Sequence, residues 1–295
     1  MSPAAARDTA VTAGVHPVWG AATDRGNRRA LNEDAFLASA PVFVVADGMG
    51  GHEAGEVASA CVVDVLRTRL AGKASSPERV NAAIVEAHRE VQRIEAEPGR
   101  AAGTTVSGVV LSEVEGVPYW IVVNLGDSRT YRLAHGALEQ ISVDHSEVQE
   151  LIDSGAVTRS EAAHHPRRHV VTRALGATGE ADVDYWLLPV SANDRILVCS
   201  DGLTGELPDP FVAETLLAES DPQAAAERLV AEAVRAGGRD NVTVIVVDVR
   251  ALDGHDDASS QTTPRGHDEP DDDTLPRRSR SAPGADGRES REEGR

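Results

Sequence analysis

The sequence predicts an α+β fold in which buried β-sheets are covered by amphipathic helices. Short runs of Val, Ile, Leu and Ala, such as residues 42–46 and 242–249, are typical of buried strands. Apolar residues recur at helical spacing over residues 54–70 and 77–96, which indicates helices with one buried face. Several of the strand-like runs also end beside an aspartate and a glycine. These observations predict sheets with carboxylates at their edges.

The predicted strands are short runs rich in β-branched residues, separated by turns that contain glycine or acidic residues. Most of them read as continuous apolar runs, which is typical of strands that are covered on both faces. The runs lie at residues 18–23, 35–37, 42–46, 104–111, 119–125, 130–133, 138–143, 183–188, 195–199 and 242–249.

The predicted helices have recognisable start and stop signals. Pro77 occupies a favoured first helical position, and Pro98 follows the same helix as a breaker. Asp144 and Glu147 have the spacing of a capping box for a short helix, which Gly155 would end. The longer helices are expected at residues 54–70, 77–96, 210–218 and 222–236.

The composition restricts the class of protein. A chain of 295 residues with 41% hydrophobic residues can form a substantial core, which must be aliphatic because aromatic residues make up only 3%. The net charge of −19 argues against nucleic-acid binding, which normally requires a basic surface. Lys73 is the only lysine, so no Walker-type phosphate loop ending in GK[ST] is present.

Cysteine usage and hydropathy indicate the compartment. Cys61 and Cys199 lie far apart within apolar runs, so we expect free thiols in a reducing compartment. No apolar run reaches the roughly 18 residues that a membrane helix needs, and the N-terminus lacks a signal-peptide pattern. We therefore expect a cytoplasmic, monomeric protein without a membrane partner.

Composition also divides the chain into three parts. Residues 1–15 are rich in Ala and Thr without periodicity, and we expect a flexible arm. Residues 16–250 contain all the predicted strands and helices. Residues 251–295 consist mainly of Asp, Arg, Ser, Pro and Gly, which predicts a disordered acidic tail.

The stretch PVFVVADGMGGHEAGE, residues 41–56, places Asp47 at the end of a buried strand. Gly48, Gly50 and Gly51 allow positive φ and close approach to a small ligand. A peptide carbonyl can then turn inward beside the Asp47 carboxylate, and such a set of oxygens suits Mg²⁺ or Mn²⁺. A strand-to-helix turn with an aspartate N-cap is the alternative, and this stretch alone does not decide between them.

A second group of charges lies in TDRGNRRALNEDAF, residues 23–36. Such a run is usually a solvated loop. However, Glu33 and Asp34 immediately precede the predicted second strand, so folding would carry them toward Asp47. Arg29 would move with them, and its planar guanidinium matches two oxygens of a phosphate group.

Three further aspartates lie next to glycines at strand ends. Asp127 belongs to the turn LGDSR, which by itself is compatible with a purely structural role. Asp201 follows an apolar strand and precedes a glycine, as Asp47 does. Asp240 precedes its strand, and it reaches the same edge if that strand runs antiparallel to the others. Because buried carboxylates repel one another, their convergence implies a polynuclear Mg²⁺ or Mn²⁺ site.

Other interpretations of these motifs have less support. His164 and His165 are adjacent, but no third soft ligand lies nearby in sequence, so residues 158–168 are interpreted as a solvated loop. A dinucleotide-binding turn does not fit, because Glu53 occupies the final glycine position of G-x-G-x-x-G and Asp47 would repel a pyrophosphate. A metal-binding regulatory module without strong catalytic activity remains an alternative.

Taken together, the motifs resemble the bacterial branch of the type 2C (PPM-type) metal-dependent serine/threonine protein phosphatases. The resemblance runs from about His16 to Arg250 and rests on DRGNRRALNED, ADGMGGHEAGE, GTT, LGDSR, DHSEVQELIDSGAVT, HHPRRHVVTRALG, CSDGLT and RDNVT, in the family's order. It implies a four-layer αββα sandwich, with two antiparallel sheets flanked by helix pairs. Residues 16–250 would be the catalytic domain, and residues 145–170 the variable flap beside the active site.

The resemblance also implies the metal ligands. Asp47 would bridge two ions, and Gly48 would offer its carbonyl. Asp201 and Asp240 would complete the shell of the first ion. Asp127 would hold the third ion that occurs in the bacterial branch, so two or three Mn²⁺ or Mg²⁺ ions are expected.

The implied reaction is hydrolysis of phosphoserine and phosphothreonine in proteins by a metal-bridged water, opposing a bacterial Ser/Thr kinase. Arg29 would bind the substrate phosphate, and Glu33 and Asp34 would act mainly through bound waters. Eukaryotic members carry a histidine directly after the Asp-Gly pair as the presumed general acid, whereas Met49 stands here. Since His52 lies three residues further on, the general acid stays unassigned.

Overall fold

Eleven strands and seven helices form the described part of the chain in this computed structural model, which covers residues 15–50, 53–72, 75–95, 101–162 and 165–252. The strands are β1 (Val15–Asp24), β2 (Asp34–Ser39), β3 (Val42–Met49), β4 (Gly103–Thr104), β5 (Val106–Val114), β6 (Val117–Leu125), β7 (Arg129–Ala134), β8 (Ala137–Gln140), β9 (Asp184–Pro189), β10 (Arg195–Cys199) and β11 (Val242–Leu252). The helices are α1 (Glu53–Leu70), α2 (Pro77–Val91), α3 (Glu147–Asp153), α4 (Arg159–Ala162), α5 (Asp201–Thr204), α6 (Asp209–Ala218) and α7 (Pro222–Ala236).

The strands form two antiparallel sheets. The first sheet has the order β1-β11-β10-β7-β8, and the second has the order β2-β3-β5-β6-β9 with β4 paired to β3. Strand β11 runs antiparallel to both β1 and β10, as the placement of Asp240 required. The predicted α+β class and the antiparallel sheets are confirmed.

Three apolar cores separate four layers of structure. Helices α1 and α2 pack on the outer face of the second sheet. Helices α6 and α7 pack on the outer face of the first sheet. Side chains of β1, β10 and β11 meet side chains of β3, β5 and β6 in the core between the two sheets. This is the predicted αββα sandwich.

Strand β3 shows how the sequence specifies this layering. Val42 and Val44 belong to the core beneath α1 and α2, whereas Phe43 and Val45 belong to the core between the sheets. Because side chains alternate between the faces of a strand, a slip of one residue would exchange the two sets. Trp120 packs edge-to-face on Phe43 with ring centroids 6.2 Å apart, and both rings are fully buried.

The predicted capping box is wrong, although the short helix α3 is present. Ser146 is the N-cap, and its Oγ accepts a hydrogen bond from the Gln149 N–H. Asp144 cannot cap the helix because Arg129 binds both of its carboxylate oxygens, at 2.7–3.0 Å. Gly155 follows the helix with φ 73°, as expected of a residue just beyond a C-cap.

Other element bounds also differ from the prediction. Helix α2 ends at Val91, since the Arg93 and Ile94 amides donate to carbonyls three residues back instead of four, which tightens the last turn. The strand predicted at 138–143 ends at Gln140, since Ile141 and Ser142 both donate to the Thr130 carbonyl instead of continuing the ladder. Helix α4 lies within the segment that was predicted to be a solvated loop.

Both cysteines are free thiols, and Cys199 is buried. Burial raises the pKa of Cys199 to about 12, so its thiol is a poor nucleophile near neutral pH. Within the described ranges, no helix is long and apolar enough to span a bilayer. Strand β11 continues to Leu252, so the first two residues of the predicted tail belong to a strand. The rest of the tail and nearly all of the predicted N-terminal arm lie outside the described residues, as do Gly51, His52 and His164.

Candidate functional site

The candidate site begins with two carboxylates on neighbouring strands. The antiparallel register of β2 and β3 places Asp34 directly opposite Asp47. Like charges in such positions repel one another. Burial removes hydration from the Asp34 carboxylate, and the charges of Asp201 and Asp240 add to this effect. Together they raise the pKa of Asp34 to about 7, although two hydrogen bonds to the carboxylate act in the opposite direction. Loss of hydration and the nearby carboxylates, Asp34 first, also raise the pKa of Asp47 well above its usual range.

The Asp34 carboxylate is held by the opposite sheet. Ser200 Oγ and Thr243 Oγ1 donate to Asp34 Oδ2 at 2.8 Å and 2.6 Å. Asp34 Oδ1 is also buried, but it has no hydrogen-bond partner among the described residues. A buried carboxylate oxygen without a donor fits a cation or a metal-bound water, because leaving it unsatisfied is costly.

Backbone contacts fix the Asp47 strand end. The Asp47 N–H donates to Thr105 Oγ1 at 3.0 Å, and Thr104 Oγ1 donates to the Asp47 carbonyl at 2.9 Å. Gly48 donates to the Glu33 carbonyl at 3.1 Å, which ties the charged loop to β3. A Cβ on Gly48 would lie 2.2 Å from the Gly55 carbonyl oxygen, so no larger residue fits there.

Asp201 and Asp240 reach the same edge from β10 and β11. Asp201 is the first residue of α5 and is separated from β10 only by Ser200, and Asp240 lies two residues before β11. The backbone of Gly202 approaches the next strand closely, since a Cβ there would lie 1.9 Å from the Asn241 carbonyl oxygen. Asn241 Oδ1 accepts a hydrogen bond from the Glu33 N–H at 2.9 Å, so the edges of both sheets are joined.

Arg29 lies over this edge. Its Nη2 donates to Asp240 Oδ2 at 2.7 Å, and its Nη1 lies 3.9 Å from Glu33 Oε2. The hydrogen bond to Asp240 raises the pKa of Arg29, which therefore stays charged. The Arg29 side chain is still 49% exposed, so it can also contact a ligand.

Arg29 opens onto a cleft of about 270 Å³, which we call the Arg29 cleft. Asp201 and Asp240 also line it, together with Arg168 and His169 from the predicted flap. His169 Nδ1 lies 3.4 Å from Asp201 Oδ2. His169 could not be predicted as a site residue, because nothing in the local sequence sets it apart from the other polar residues of the flap.

Asp127 lies in the turn between β6 and β7. Loss of hydration, followed by the charges of Asp201 and Asp144, raises its pKa well above the usual range. The preceding residue, Gly126, donates its N–H to His145 Nδ1 at 3.2 Å and accepts the His145 N–H at 2.8 Å. Because Nδ1 accepts, His145 Nε2 carries the proton and donates to Asp184 at 3.1 Å.

The hydroxyl residues that support the aspartates were also missed as site residues. Thr105 and Ser128 share a hydrogen bond of 2.8 Å and connect the Asp47 strand with the Asp127 turn. Ser200 and Thr243 hold Asp34. A usable signal was present, because a hydroxyl residue directly precedes Asp201 and directly follows Asp127.

The predicted site residues thus gather at one edge of the sandwich. Repulsion among the carboxylates contributes to the raised pKa values of Asp34, Asp47 and Asp127, which requires that they lie near one another. Within the described part of the chain, however, no three His, Cys, Asp or Glu side chains are placed as a complete metal-ligand cluster. The assignment of individual ligands therefore stays a proposal.

Comparison with known proteins identifies the family. The family model for Protein phosphatase 2C matches residues 23–235. The serine/threonine phosphatase stp of Listeria innocua is 34% identical over 250 residues, which cover 80% of this chain and 98% of that protein.

Solved structures have the same fold. The catalytic domain of the serine/threonine protein phosphatase PstP, solved with two manganese ions, superposes with a TM-score of 0.69 at 37% identity. That match covers 80% of this chain and 99% of the PstP chain. The PPM Ser-Thr phosphatase MsPP of Mycobacterium smegmatis, solved with cacodylate, gives a TM-score of 0.71 at 37% identity, over 78% and 97% of the two chains. From its matched sequence, its layered fold and its edge of aspartates, this chain belongs to the protein phosphatase 2C family.

Proposed function

We propose that this chain is a metal-dependent phosphatase that hydrolyses phosphoserine and phosphothreonine in proteins. The observation that carries the proposal is the edge where Asp34 and Asp47 face each other near Asp201 and Asp240, with Arg29 above them. Several carboxylates with raised pKa values and one exposed arginine suit cations and a phosphate group together. The relatives named above carry the same activity in their names.

The residues present fit Mn²⁺ or Mg²⁺. Asp47, the Gly48 carbonyl, Asp201 and Asp240 would hold two of these ions. Asp127 would hold a third ion. All of these donors are oxygens, which hard divalent cations prefer, and cations would relieve the repulsion among the carboxylates. Bound ions would supply an activated water and neutralise charge on the phosphate oxygens.

Glu33 and Asp34 would act around the ions rather than as direct ligands. Asp34 keeps one oxygen on Ser200 and Thr243, which leaves its buried Oδ1 to accept from a water at the centre. The Gly48 N–H donates to the Glu33 carbonyl, so the backbone from which the Glu33 side chain extends has a fixed position.

Arg29 would bind and orient the phosphate group. One of its N–H groups is used by Asp240, and the planar guanidinium carries further donors that can reach phosphate oxygens. The ion pair with Asp240 also restricts the side chain before substrate arrives, which lowers the entropy cost of binding. We assign no general acid, since Met49 cannot donate a proton and His52 lies outside the described residues.

The biological setting follows the same proposal. We propose that the phosphatase opposes a Ser/Thr kinase in the cytoplasm, where two free thiols are compatible with a reducing environment. We further propose a monomer with a catalytic domain at residues 16–250 and a disordered tail at residues 251–295.

The test is phosphate release from p-nitrophenyl phosphate and from a phosphothreonine peptide, with Mn²⁺ and with excess EDTA. We expect turnover of both substrates with Mn²⁺ and loss of both in EDTA, with recovery when Mn²⁺ is restored. Variants Cys61→Ser and Cys199→Ser should retain most of the activity. Undiminished turnover in EDTA would refute the metal-dependent mechanism.

A further inference from the structure

A second cleft lies beside the Arg29 cleft, between the flap and the core of the protein. We call it the flap cleft, and its volume is about 360 Å³. Arg168, His169 and Asp201 line both clefts, so the two are continuous. A polypeptide whose phosphate lies beside Arg29 would therefore have its neighbouring residues near the flap cleft.

The flap wall of this cleft is attached to the core near Asp127. His145, at the start of the flap, exchanges two hydrogen bonds with Gly126. At the flap's other end, the Thr172 N–H donates to the His145 carbonyl at 2.8 Å, and the Glu147 N–H donates to the Val170 carbonyl at 2.9 Å. These bonds close the base of the flap, so its inner face has a defined position beside the carboxylates.

The acidic side chains on the core side of the cleft are already engaged. Asp144 accepts from Arg129 and from Gln140, whose Nε2 lies 3.0 Å from Asp144 Oδ1. Asp209 accepts from the Tyr131 hydroxyl at 3.2 Å. Asp127 and Asp201 belong to the proposed metal site. Arg129 thus neutralises Asp144, and bound cations would neutralise Asp127 and Asp201, whereas Asp209, whose partner is an uncharged hydroxyl, keeps its negative charge.

The arginines on the flap side are not engaged by carboxylates. Arg159, at the start of α4, makes no ion pair or hydrogen bond to any described residue and is exposed. Arg168 only donates to the His165 carbonyl of its own loop, at 3.4 Å. By contrast, the neighbouring Arg167 lies outside the lining and pairs with Glu147 at 2.9 Å. Two cations in one cleft without acidic partners favour an anionic ligand.

The same wall also offers an apolar surface. Val148 and Ile152, on one side of α3, line the cleft and are only half-buried, and Ala162 closes it beside α4. This surface can cover the aliphatic part of a side chain while Arg159 reaches its charged end. The side chains of glutamate and aspartate residues in a polypeptide combine an aliphatic part with a negatively charged end.

We propose that the flap cleft binds the segment adjoining the phosphorylated residue of a protein substrate and selects an acidic side chain there through Arg159 and Arg168. This inference rests on the proposed phosphatase function and specifies its substrate class. Arg159 is a specificity residue, since it lies in the flap and not among the carboxylates that would hold the ions.

The experiment compares phosphothreonine peptides that differ only in one flanking residue, Glu, Gln or Lys, placed in turn at each of three positions on either side. Wild-type kcat/KM is measured with Mn²⁺ and divided by that for p-nitrophenyl phosphate, which is too small to span both clefts. The variants are Arg159→Gln, Arg168→Gln and, as matched control, Arg167→Gln. Melting temperatures verify that each variant is folded.

At one or more positions we expect wild type to prefer Glu over Gln by roughly three- to fivefold, the upper part of the range for one ion pair at an exposed site. Arg159→Gln should reduce this preference to about 1.5-fold or less, whereas Arg167→Gln should keep it. Equal rates for Glu, Gln and Lys at every position, a preference for Lys, or an unchanged Glu preference in Arg159→Gln would overturn the proposal. So would a parallel loss on p-nitrophenyl phosphate, since the effect would then lie at the metal centre.

The outcome also separates this inference from the proposed function. If wild type hydrolyses all the phosphopeptides at similar rates, the phosphatase function stands and the acidic preference is wrong. If wild type hydrolyses p-nitrophenyl phosphate but none of the phosphopeptides, both the protein-phosphatase function and this inference are wrong.

Discussion

At the scale of single residues, the carboxylate of Asp34 shows how the site combines stability with readiness for cations. Two hydroxyl groups from the opposite sheet hold one of its oxygens, while the other is buried without a donor among the described residues. The facing Asp47 adds repulsion. In a protein interior such an arrangement costs stability unless a cation compensates it.

The first residue-scale prediction concerns the aspartates that would bind the ions. Asp47→Asn or Asp240→Asn removes a charged ligand, and we expect kcat on p-nitrophenyl phosphate to fall by roughly a hundredfold or more together with weaker Mn²⁺ binding. Calorimetric Mn²⁺ titration and steady-state kinetics measure the two effects. Asp64→Asn, which only breaks a surface pair with Arg67, is the control and should resemble wild type. Wild-type Mn²⁺ affinity in Asp47→Asn would remove Asp47 from the ligand set.

The second residue-scale prediction concerns Arg29. Arg29→Ala should leave Mn²⁺ binding largely intact but cost about 1.5–3 kcal/mol of transition-state stabilisation, or one to two orders of magnitude in kcat/KM. The comparison uses a phosphothreonine peptide and the neighbouring exposed Arg28→Ala as control. Equal kcat/KM for Arg29→Ala and wild type would contradict the phosphate-binding role.

At the scale of elements, the site depends on close backbone approach between neighbouring strand ends. The turn from β10 into α5 passes so near Asn241 that Gly202 has no room for a side chain. This contact places Asp201 and Asp240 beside each other. Asn241 also accepts a hydrogen bond from the Glu33 N–H, which holds the loop that carries Glu33 at the same edge. The carboxylates are therefore positioned by the main chain more than by their own side-chain rotamers.

The element-scale prediction follows from that contact. Gly202→Ala would bring a Cβ within 1.9 Å of the Asn241 carbonyl oxygen, so β11 or α5 must shift. We expect a loss of about 2–4 kcal/mol in the free energy of unfolding, comparable with severe overpacking, and weaker Mn²⁺ binding. Gly205→Ala, whose Cβ would lie 3.1 Å from the Asp201 carbonyl oxygen, is the milder control. Chemical denaturation measures the free energy of unfolding of both variants. Equal values for Gly202→Ala and Gly205→Ala would show that the turn can relax.

At the scale of the whole molecule, the site is the place where the two sheets of the sandwich meet. Asp34 and Asp47 belong to the second sheet, whereas Asp201 and Asp240 flank strands of the first. The apolar core between the sheets supports this edge from below. The folded sandwich brings these carboxylates close together, and their mutual repulsion lowers its stability.

The whole-molecule prediction is a pH dependence of stability. The folded chain raises the pKa of Asp34 to about 7 and also raises those of Asp47 and Asp127, so it binds more protons than the unfolded chain between about pH 4 and 7. The stability of chelated protein should therefore fall as pH rises through this range. We expect its Tm to be lower by about 5 °C at pH 7.5 than at pH 5.5, measured in EDTA.

Excess Mn²⁺ is the control for this prediction. Bound cations would offset the repulsion, so the Tm at pH 7.5 should rise and the difference between the two pH values should shrink. A Tm in EDTA that increases from pH 5.5 to 7.5 would contradict the pKa directions on which the prediction depends.

Strands with two covered faces and candidate site residues at strand ends could be predicted from the sequence alone. Alternating apolar residues such as Val44 and Val45 specify two covered faces, and the Asp-Gly pairs at strand ends mark the edge where ligands bind. These signals are local, because side-chain periodicity and the conformational freedom of glycine are properties of neighbouring residues. They placed Asp47, Asp201 and Asp240 at strand ends correctly.

The partner of each polar group depends on the tertiary structure and could not be predicted from the sequence. Asp144 has the spacing of an N-cap, but Arg129 binds it, and Ser146 caps the helix instead. Nothing near His169 in the sequence indicates that it lies 3.4 Å from Asp201, and nothing near Arg159 indicates that it lines a cleft. The physical reason is that ion pairs and clefts form between segments far apart in the chain, where the packing of the two sheets and the flap determines every distance.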